Sequence, residues 1–548
     1  MSMITSTTWV PRGFAAPFPT KYNFDEEEFE RIATLAKLQL DDANEDLEEA
    51  QEQEAQLAEN GGSSKKKKKK TKKESSPKPD ARDQIEIDDD LKEYNLDTYD
   101  DDDDEATGEA QQMGMFGNAK ALAYYESNKD DPYITLQDDG GEDDDDREDL
   151  QIMATDNLLL ATKIEDELAH LEVYVYEDEA DNLYVHHDIM LPAIPLCVEW
   201  LDIPVGKSSV DKDSAANFVA VGTFDPDIEI WDLDTVDCMY PNAILGQGGN
   251  AEEGKKKKRK KSKKANDEYH VDAVLSLAAN RKHRNLLASA SADKTVKLWD
   301  LHTTKCAQSY SYHTDKVCSL AWNLTESTVL LSGSYDRTAA MADMRAPTEA
   351  PIRVGVESDV ETVKWDPHDP NYFFVSTESG IVHYFDARNA TKDPSASKSV
   401  WTLQAHDESV SSFDLNAVIP GFMATGSTDK KVKLWNITLQ GPSLVVARDV
   451  DVGKVFSTSF GPDAEVAFRL SVAGSKGTVS VWDTSTNSKV RAAFAQKMPS
   501  KLSGPVDVED KLVGVVDDES SSDDDDEEGD SEEDGEPGEA HSMDEAED

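Results

Sequence analysis

Cysteine is scarce in this 548-residue chain: Cys197, Cys238, Cys306 and Cys318 are the four present, and their spacing is not paired. That excludes the disulfide framework of small secreted domains and points to a reducing compartment, cytosol or nucleus. Long apolar runs are also missing, and none approaches the ~18 residues that a membrane span requires. The opening MSMITSTTWVPRGF lacks the charged-then-apolar pattern of a secretory signal. There is no G-x-x-x-x-G-K-[ST] phosphate loop and no H-E-x-x-H pair, and His302, Cys306, His313 and Cys318 match no zinc spacing. Nothing here assembles an active site, so neither an enzyme nor a cofactor or metal is expected. Positive charge is in deficit, with 56 Lys and Arg against 113 Asp and Glu and a formal net charge of -57. With hydrophobic residues at only 38%, part of the chain is expected to stay unfolded.

The few cations are unevenly placed. Lys65, Lys66, Lys67, Lys68, Lys69 and Lys70 open one tract (65–73), and Lys255, Lys256, Lys257, Lys258, Arg259, Lys260 and Lys261 open another (255–264). Such runs suit nuclear import or contact with RNA phosphates, which gives affinity without reading sequence. No aromatics are interleaved, so base stacking on these segments is not expected. Acid is concentrated at Asp100–Glu105, at Glu142–Asp146 and in 517–548, which holds 19 Asp or Glu and no Lys or Arg. Blocks of like charge repel themselves and resist folding. Ser520, Ser521 and Ser522 stand just before Asp523–Glu528, a pattern that predicts phosphorylation by an acidophilic kinase.

Between 152 and 496 the composition changes to short β-branched and aromatic runs separated by turn residues. LLASASADKTVKLWDL (286–301), VLLSGSYDRTAAMADM (329–344), FMATGSTDKKVKLWNI (422–437) and RLSVAGSKGTVSVWDT (469–484) are copies of one unit. Their end positions, with weaker copies included, are Tyr176, Trp231, Trp299, Ala342, Phe385, Trp435 and Trp482, at spacings of 55, 68, 43, 43, 50 and 47. The interval of 68 contains the second basic tract. Seven units of this length with strand alternation resemble WD40 repeats, which implies an all-β, seven-bladed propeller of four-stranded blades.

Three copies share more than their ends. His270, His313 and His406 lie 29 residues before Trp299, Ala342 and Trp435; Ser289, Ser332 and Thr425 lie ten before; Asp293, Asp336 and Asp429 lie six before. A catalytic triad is needed once, whereas this set recurs. The WD40 resemblance implies a buried hydrogen-bond network joining turn, strand and end Trp. Gly453, Val356 and Asp202 fall in the His slot of other copies, so packing is expected to hold those blades more than polar bonds. For the weak first blade, 133–137 (YITLQ) is a candidate inner strand beside 157–164, 171–176 and 182–188, and 489–495 (KVRAAFA) reads as the last outer strand.

Before the repeats, 9–24 (WVPRGFAAPFPTKYNF) mixes aromatics and proline, as expected of an extended peptide laid on another surface. Phe29, Ile32 and Leu40 fall on the apolar stripe of a helix predicted within 25–50, with Asp25 as its cap. Trp9, Arg12, Phe14, Phe18, Tyr22, Phe29, Ile32 and Leu40 are thus read as a partner-binding arm. The organisation expected is an arm (1–60), a charged linker with a Lys tract (61–117), a pre-propeller segment (118–151, with 132–137 its candidate strand), a propeller (152–496, with a basic insertion at 250–268) and an acidic tail (497–548).

TWVPRGFAAPFPTKY at the start, YYESNKDDPYITL (124–136), LLLATKIEDELAHLEVYVYE (158–177) and the Trp-ended repeats together resemble the periodic tryptophan protein 1 family. That resemblance implies a nucleolar factor of large-subunit ribosome assembly and rRNA processing, a monomer within a large complex. Its expected partners are ribosomal proteins, other assembly factors and precursor rRNA, with no membrane. Two other readings stand beside it. MADMR (341–345) and YFDAR (384–388) resemble, without the Trp, the W-D-x-R ending of cullin-type ubiquitin ligase receptors. Acidic tails on a propeller also suit histone binding.

Overall fold

A computed structural model of the chain describes residues 2–22, 150–206 (apart from 167 and 179), 214–246, 266–494 (apart from 439), 497 and 511–514. The described residues form seven four-stranded antiparallel sheets that follow one another along the chain as propeller blades. The sequence period sets their register. Tyr176, Trp231, Trp299, Ala342, Phe385, Trp435 and Trp482 all lie on the third strand of their blade and are buried. Second strands such as Leu286–Ser291 are covered on both faces by neighbouring blades and read as continuous small or apolar runs. Outermost strands such as Lys305–Tyr310 face solvent and carry polar residues.

The core is divided among the gaps between blades. Seven hydrophobic clusters occur, each shared by two adjacent blades. In the gap between blades 3 and 4, for example, Ala288, Val296 and Leu298 meet Val317, Trp322 and Leu330. Turns between second and third strands use one backbone device. Lys294, Arg337, Lys430, Gly380 and Gly477, each five residues before the third-strand end position, all have positive φ. Where the residue is Lys or Arg, the preceding Asp steadies the turn by accepting the backbone N–H two residues on, as Asp293 does from Thr295 at 2.9 Å.

Ring closure departs from the sequence reading. The inner strand of blade 1 is Ser2–Val10, paired with Asn157–Glu165, and 133–137 lies outside the described residues. Its core positions Ile4 and Trp9 pack against Ala473, Val479 and Val481 of blade 7. The strand is also hydrogen-bonded like any other inner strand. Ser276, Ser319 and Ser412 each accept, through Oγ, a backbone N–H from the next blade (Leu320, Val363, Thr458), and Ser457 accepts that of Thr7. Trp322 Nε1 donates to Ala278 O and Trp365 Nε1 to Ala321 O, each on the preceding blade; Trp9 Nε1 donates to Ser459 O of blade 7 at 3.1 Å. Arg469 completes the closure from blade 7, with its guanidinium on Tyr176 Oη, Asp178 and Asp483.

At the other end of the chain, 489–495 is not a strand: Ser488–Phe494 is a helix that buries Val490 and Phe494. The outer strand of blade 7 is Leu512–Gly514, on Ser480–Trp482. The propeller therefore includes 2–10 and 512–514, beyond the expected bounds of 152–496. Asp483 follows an end position as Asp232, Asp300, Asp343 and Asp386 do, but the second-strand Arg at 469 does not recur in the other copies, which is why the closure was not visible in the repeat.

Candidate interaction surfaces

The recurring His, Ser and Asp form a linear chain of bonds in each of three blades. In blade 3, Trp299 Nε1 donates to Ser289 Oγ (2.8 Å), Ser289 Oγ bonds His270 Nε2 (2.7 Å), and His270 Nδ1 bonds Asp293 (2.9 Å). Trp435, Thr425, His406 and Asp429 repeat it in blade 6. Burial holds His270 and His406 below the ordinary imidazole range, so each is neutral at pH 7, with Nδ1–H donating to the carboxylate and Nε2 accepting. Burial works against ionisation of Asp293, but the bonds from His270 and Thr295 outweigh it and hold the carboxyl at about 2. Every donor has an acceptor, and the hydroxyl has no free lone pair aimed at solvent. The arrangement stabilises a blade and performs no chemistry.

Blades that depart from the pattern, for which the sequence reading expected packing to dominate, also carry polar bonds from other positions. In blade 4, where Ala342 replaces Trp, Tyr312 Oη bonds Ser332 Oγ at 3.1 Å beside the His313–Ser332 and His313–Asp336 bonds. In blade 5, Glu357 accepts from Thr377 Oγ1, Ser379 Oγ and His383 Nε2 at 2.9, 2.8 and 2.7 Å. In blade 7 the pair is reversed, with Lys476 in the Asp slot bonded to Asp451 at 2.6 Å. Asp202 is not in a His slot at all; it follows the inner strand Pro195–Leu201 of blade 2 and pairs with Arg284.

The expected partner-binding arm is mostly committed to the propeller. Trp9 is 5% exposed. Arg12 bonds Asn157 through Nε and Glu465 through its guanidinium, and its backbone N–H donates to Asp463. Phe14 meets Trp200 edge to face at 4.7 Å. Tyr22 packs on the cluster between blades 1 and 2. Two residues before it, Thr20–Lys21 pairs in parallel with Thr235–Val236. Phe18, 37% exposed, is the one of these five that presents much surface. The physical reason is length: Ser2–Val10 supplies a whole inner strand, and the proline-rich run after it lies across blades 1 and 2. Phe29, Ile32, Leu40, both Lys tracts (65–70 and 255–261) and Ser520–Ser522 lie outside the described residues.

One hollow opens where the inner strands end around the central channel, on the face that also carries 11–22. A cavity of about 300 Å³ is lined there by Glu199, Leu277–Lys282, Leu320–Leu324, Lys364, Trp365, Asp414 and Leu415, among others. Arg281 donates to Glu199 (2.8 Å) and to Trp200 O (2.9 Å) and lies over the Trp200 ring. Lys364 Nζ bonds Asp414 at 2.6 Å, and Lys282 Nζ donates to Thr325 O at 2.8 Å. Sequence reading missed this group, whose members are single charges at strand ends. It also missed a second Trp period, although Trp322 and Trp365 each stand 23 residues after an end position (Trp299, Ala342). Arg345 and Arg388 are paired within their own strand ends, on Asp343 and Asp386.

Among the described residues no group of three His, Cys, Asp or Glu is placed to hold a metal. No described helix is long and apolar enough to cross a membrane.

Comparison with known proteins agrees with this architecture. The family model "WD domain, G-beta repeat" matches residues 264–300, 304–341 and 397–436. Periodic tryptophan protein 1 of Saccharomyces cerevisiae is 39% identical over 545 residues, covering 90% of each chain. The chain belongs to the periodic tryptophan protein 1 family. An uncharacterized WD repeat-containing protein of Schizosaccharomyces pombe is 52% identical over 517 residues, 94% of this chain and 96% of that one. The Drosophila melanogaster homolog of periodic tryptophan protein 1 is 30% identical over 319 residues, 57% of this chain and 64% of its own.

Proposed function

We propose that this protein is a non-catalytic scaffold of large (60S) ribosomal subunit precursors in the nucleolus and supports rRNA processing there. The observation that carries the reading is family membership over nine-tenths of the chain, and ribosome assembly is what the family resemblance implies. Physical chemistry supports it. A rigid seven-bladed ring offers several separate surfaces, its recurring His–Ser–Asp sets are spent on internal bonds, and Lys tracts coexist with acidic blocks. Ribosomal precursors present RNA phosphates and basic proteins together, so both signs of charge find partners.

Density-gradient sedimentation of the tagged full-length protein from nuclear extract tests this, with fractions probed for precursor rRNA. Co-migration with a large-subunit precursor is expected. Sedimentation only as a small free complex overturns the reading.

A further inference from the structure

The channel mouth is a local reversal of the protein's charge. The chain carries a net -57, yet this cavity is lined by Arg281, Lys282 and Lys364 against Glu199 and Asp414. The cations are also the outward members of their pairs. Arg281 and Lys364 side chains are 42% and 36% exposed, whereas Glu199 and Asp414 are 20% and 14% exposed. Each carboxylate is further tied from behind by a backbone N–H, Glu199 by Ala279 and Asp414 by Phe460. The result is a set of fixed positive groups with spare N–H donors. Arg281 is immobilised by two bonds and by its stack on Trp200, and Trp200 is met from elsewhere by Phe14. Preorganisation of this kind removes the side-chain entropy that binding would otherwise cost.

We propose that this mouth binds an acidic peptide segment of a partner protein, whose carboxylates meet Arg281, Lys282 and Lys364 and whose apolar side chain rests on Leu324. Leu324 is 53% exposed at the rim of the same cavity, beside the apolar wall made by Leu320, Trp322 and Trp365. A guanidinium with free N–H groups suits a carboxylate in geometry as well as charge. RNA fits less well, for two reasons. A void of about 300 Å³ admits side chains one at a time and not a strand of nucleotides. Trp322 and Trp365, 9% and 7% exposed with their Nε1 groups already donated, offer no face on which a base could stack.

The test uses the full-length protein and a synthetic twelve-residue peptide alternating Asp with Leu, one Leu replaced by diazirine-bearing photo-leucine. Crosslinks are mapped by mass spectrometry, which separates the mouth from the Lys tracts. Crosslinks at 277–282 and 320–327 are expected. In the K282E/L324E variant, whose two substitutions are both at exposed positions, their yield is expected to fall at least five-fold while crosslinks at 65–73 and 255–264 hold steady. Crosslinks confined to the Lys tracts, or an unchanged yield at the mouth of the variant, overturn the proposal. So does an equal yield there from a twelve-residue oligouridylate carrying 4-thiouridine. A mouth reached only after deletion of 517–548 also overturns it, because the occupant is then the chain's own acidic tail.

Discussion

Replacing Trp9 by alanine separates two readings of the N-terminal segment. If Ser2–Val10 closes the ring, Trp9→Ala destabilises the isolated protein; if the segment serves only a partner, the isolated protein is unaffected. The structure sets the size of the effect. Trp9 is 5% exposed, lies 6.2 Å edge to face from Tyr176 and shares a cluster with Ile4, Leu159 and Val481. Truncating a buried Trp costs about 3–5 kcal/mol. Loss of the indole bond is included in that figure and is modest, because Ser459 O also accepts from Ser471 Oγ at 3.0 Å and is not left bare. Trp322→Ala is the internal reference, since Trp322 is equally buried and makes the same bond to the preceding blade. Urea unfolding followed by circular dichroism measures both. Equal falls in midpoint, within ~1 kcal/mol of one another, are expected. A Trp9→Ala midpoint within ~0.5 kcal/mol of wild type, the range of an ordinary surface change, would refute the closure while Trp322→Ala still falls.

Other consequences are checked by similar means. Burial raises the Glu229 carboxyl to about 7 although Trp231 donates to it, so its contribution to stability is full below the unfolded value near 4 and is lost as pH rises through 7. Glu229→Gln is therefore expected to be more stable than wild type by about 3 kcal/mol at pH 8 and equal to it near pH 4; thermal melts at the two pH values decide. Tyr312→Phe should cost about 1 kcal/mol, with a coupling of at least ~0.5 kcal/mol to Ser332→Ala in a double-mutant cycle, because the hydroxyl stands in for the absent Trp. Arg469→Met leaves Asp483 buried without its cation and should cost about 3–5 kcal/mol, read as a lowered urea midpoint; an unchanged midpoint would show that the ring does not depend on this ion pair.

What the sequence made legible was whatever repeats. The third-strand end positions and the His, Ser and Asp offsets are fixed by one blade geometry repeated around the ring, so a count of spacings finds them. Blade number and register follow from that alone. What it hid was whatever occurs once or changes partner. Tyr312 and Glu357 do the work of missing network members from different positions, and Lys476 with Asp451 inverts the sign of the usual pair. Periodicity cannot register a function that moves to a neighbouring residue. Ser2–Val10 was hidden for another reason: it is parted from its partner strand by 146 intervening residues (11–156), so no local pattern joins them. The channel mouth was hidden because its charged side chains come singly or in a pair from blades 2, 3, 5 and 6.

That long insertion has a consequence for the Lys tracts. It leaves the propeller at Tyr22, whose N–H bonds Val236 O, and returns at Ile152, whose N–H bonds Pro17 O, both on the face where the inner strands end. The tract at 65–73 belongs to that insertion and lies outside the described residues. The tract at 255–264 stands in sequence between the outer strand of blade 2 (Ala243–Leu245) and the inner strand of blade 3 (Val274–Ala279), and it too lies outside the described residues. Two polycationic segments on one chain, if both contact RNA as proposed, act as separate ligands for a short RNA and as a bivalent pair for a long one. Deleting either tract should then lower affinity for a ten-nucleotide RNA by a similar modest factor. For a long precursor RNA each deletion should cost considerably more, and the salt slope should fall by about 0.7–0.9 for each phosphate no longer neutralised. Filter binding at several salt concentrations measures this. Identical losses for short and long RNA would show that the tracts never engage one molecule together, and would leave nuclear import as their main use.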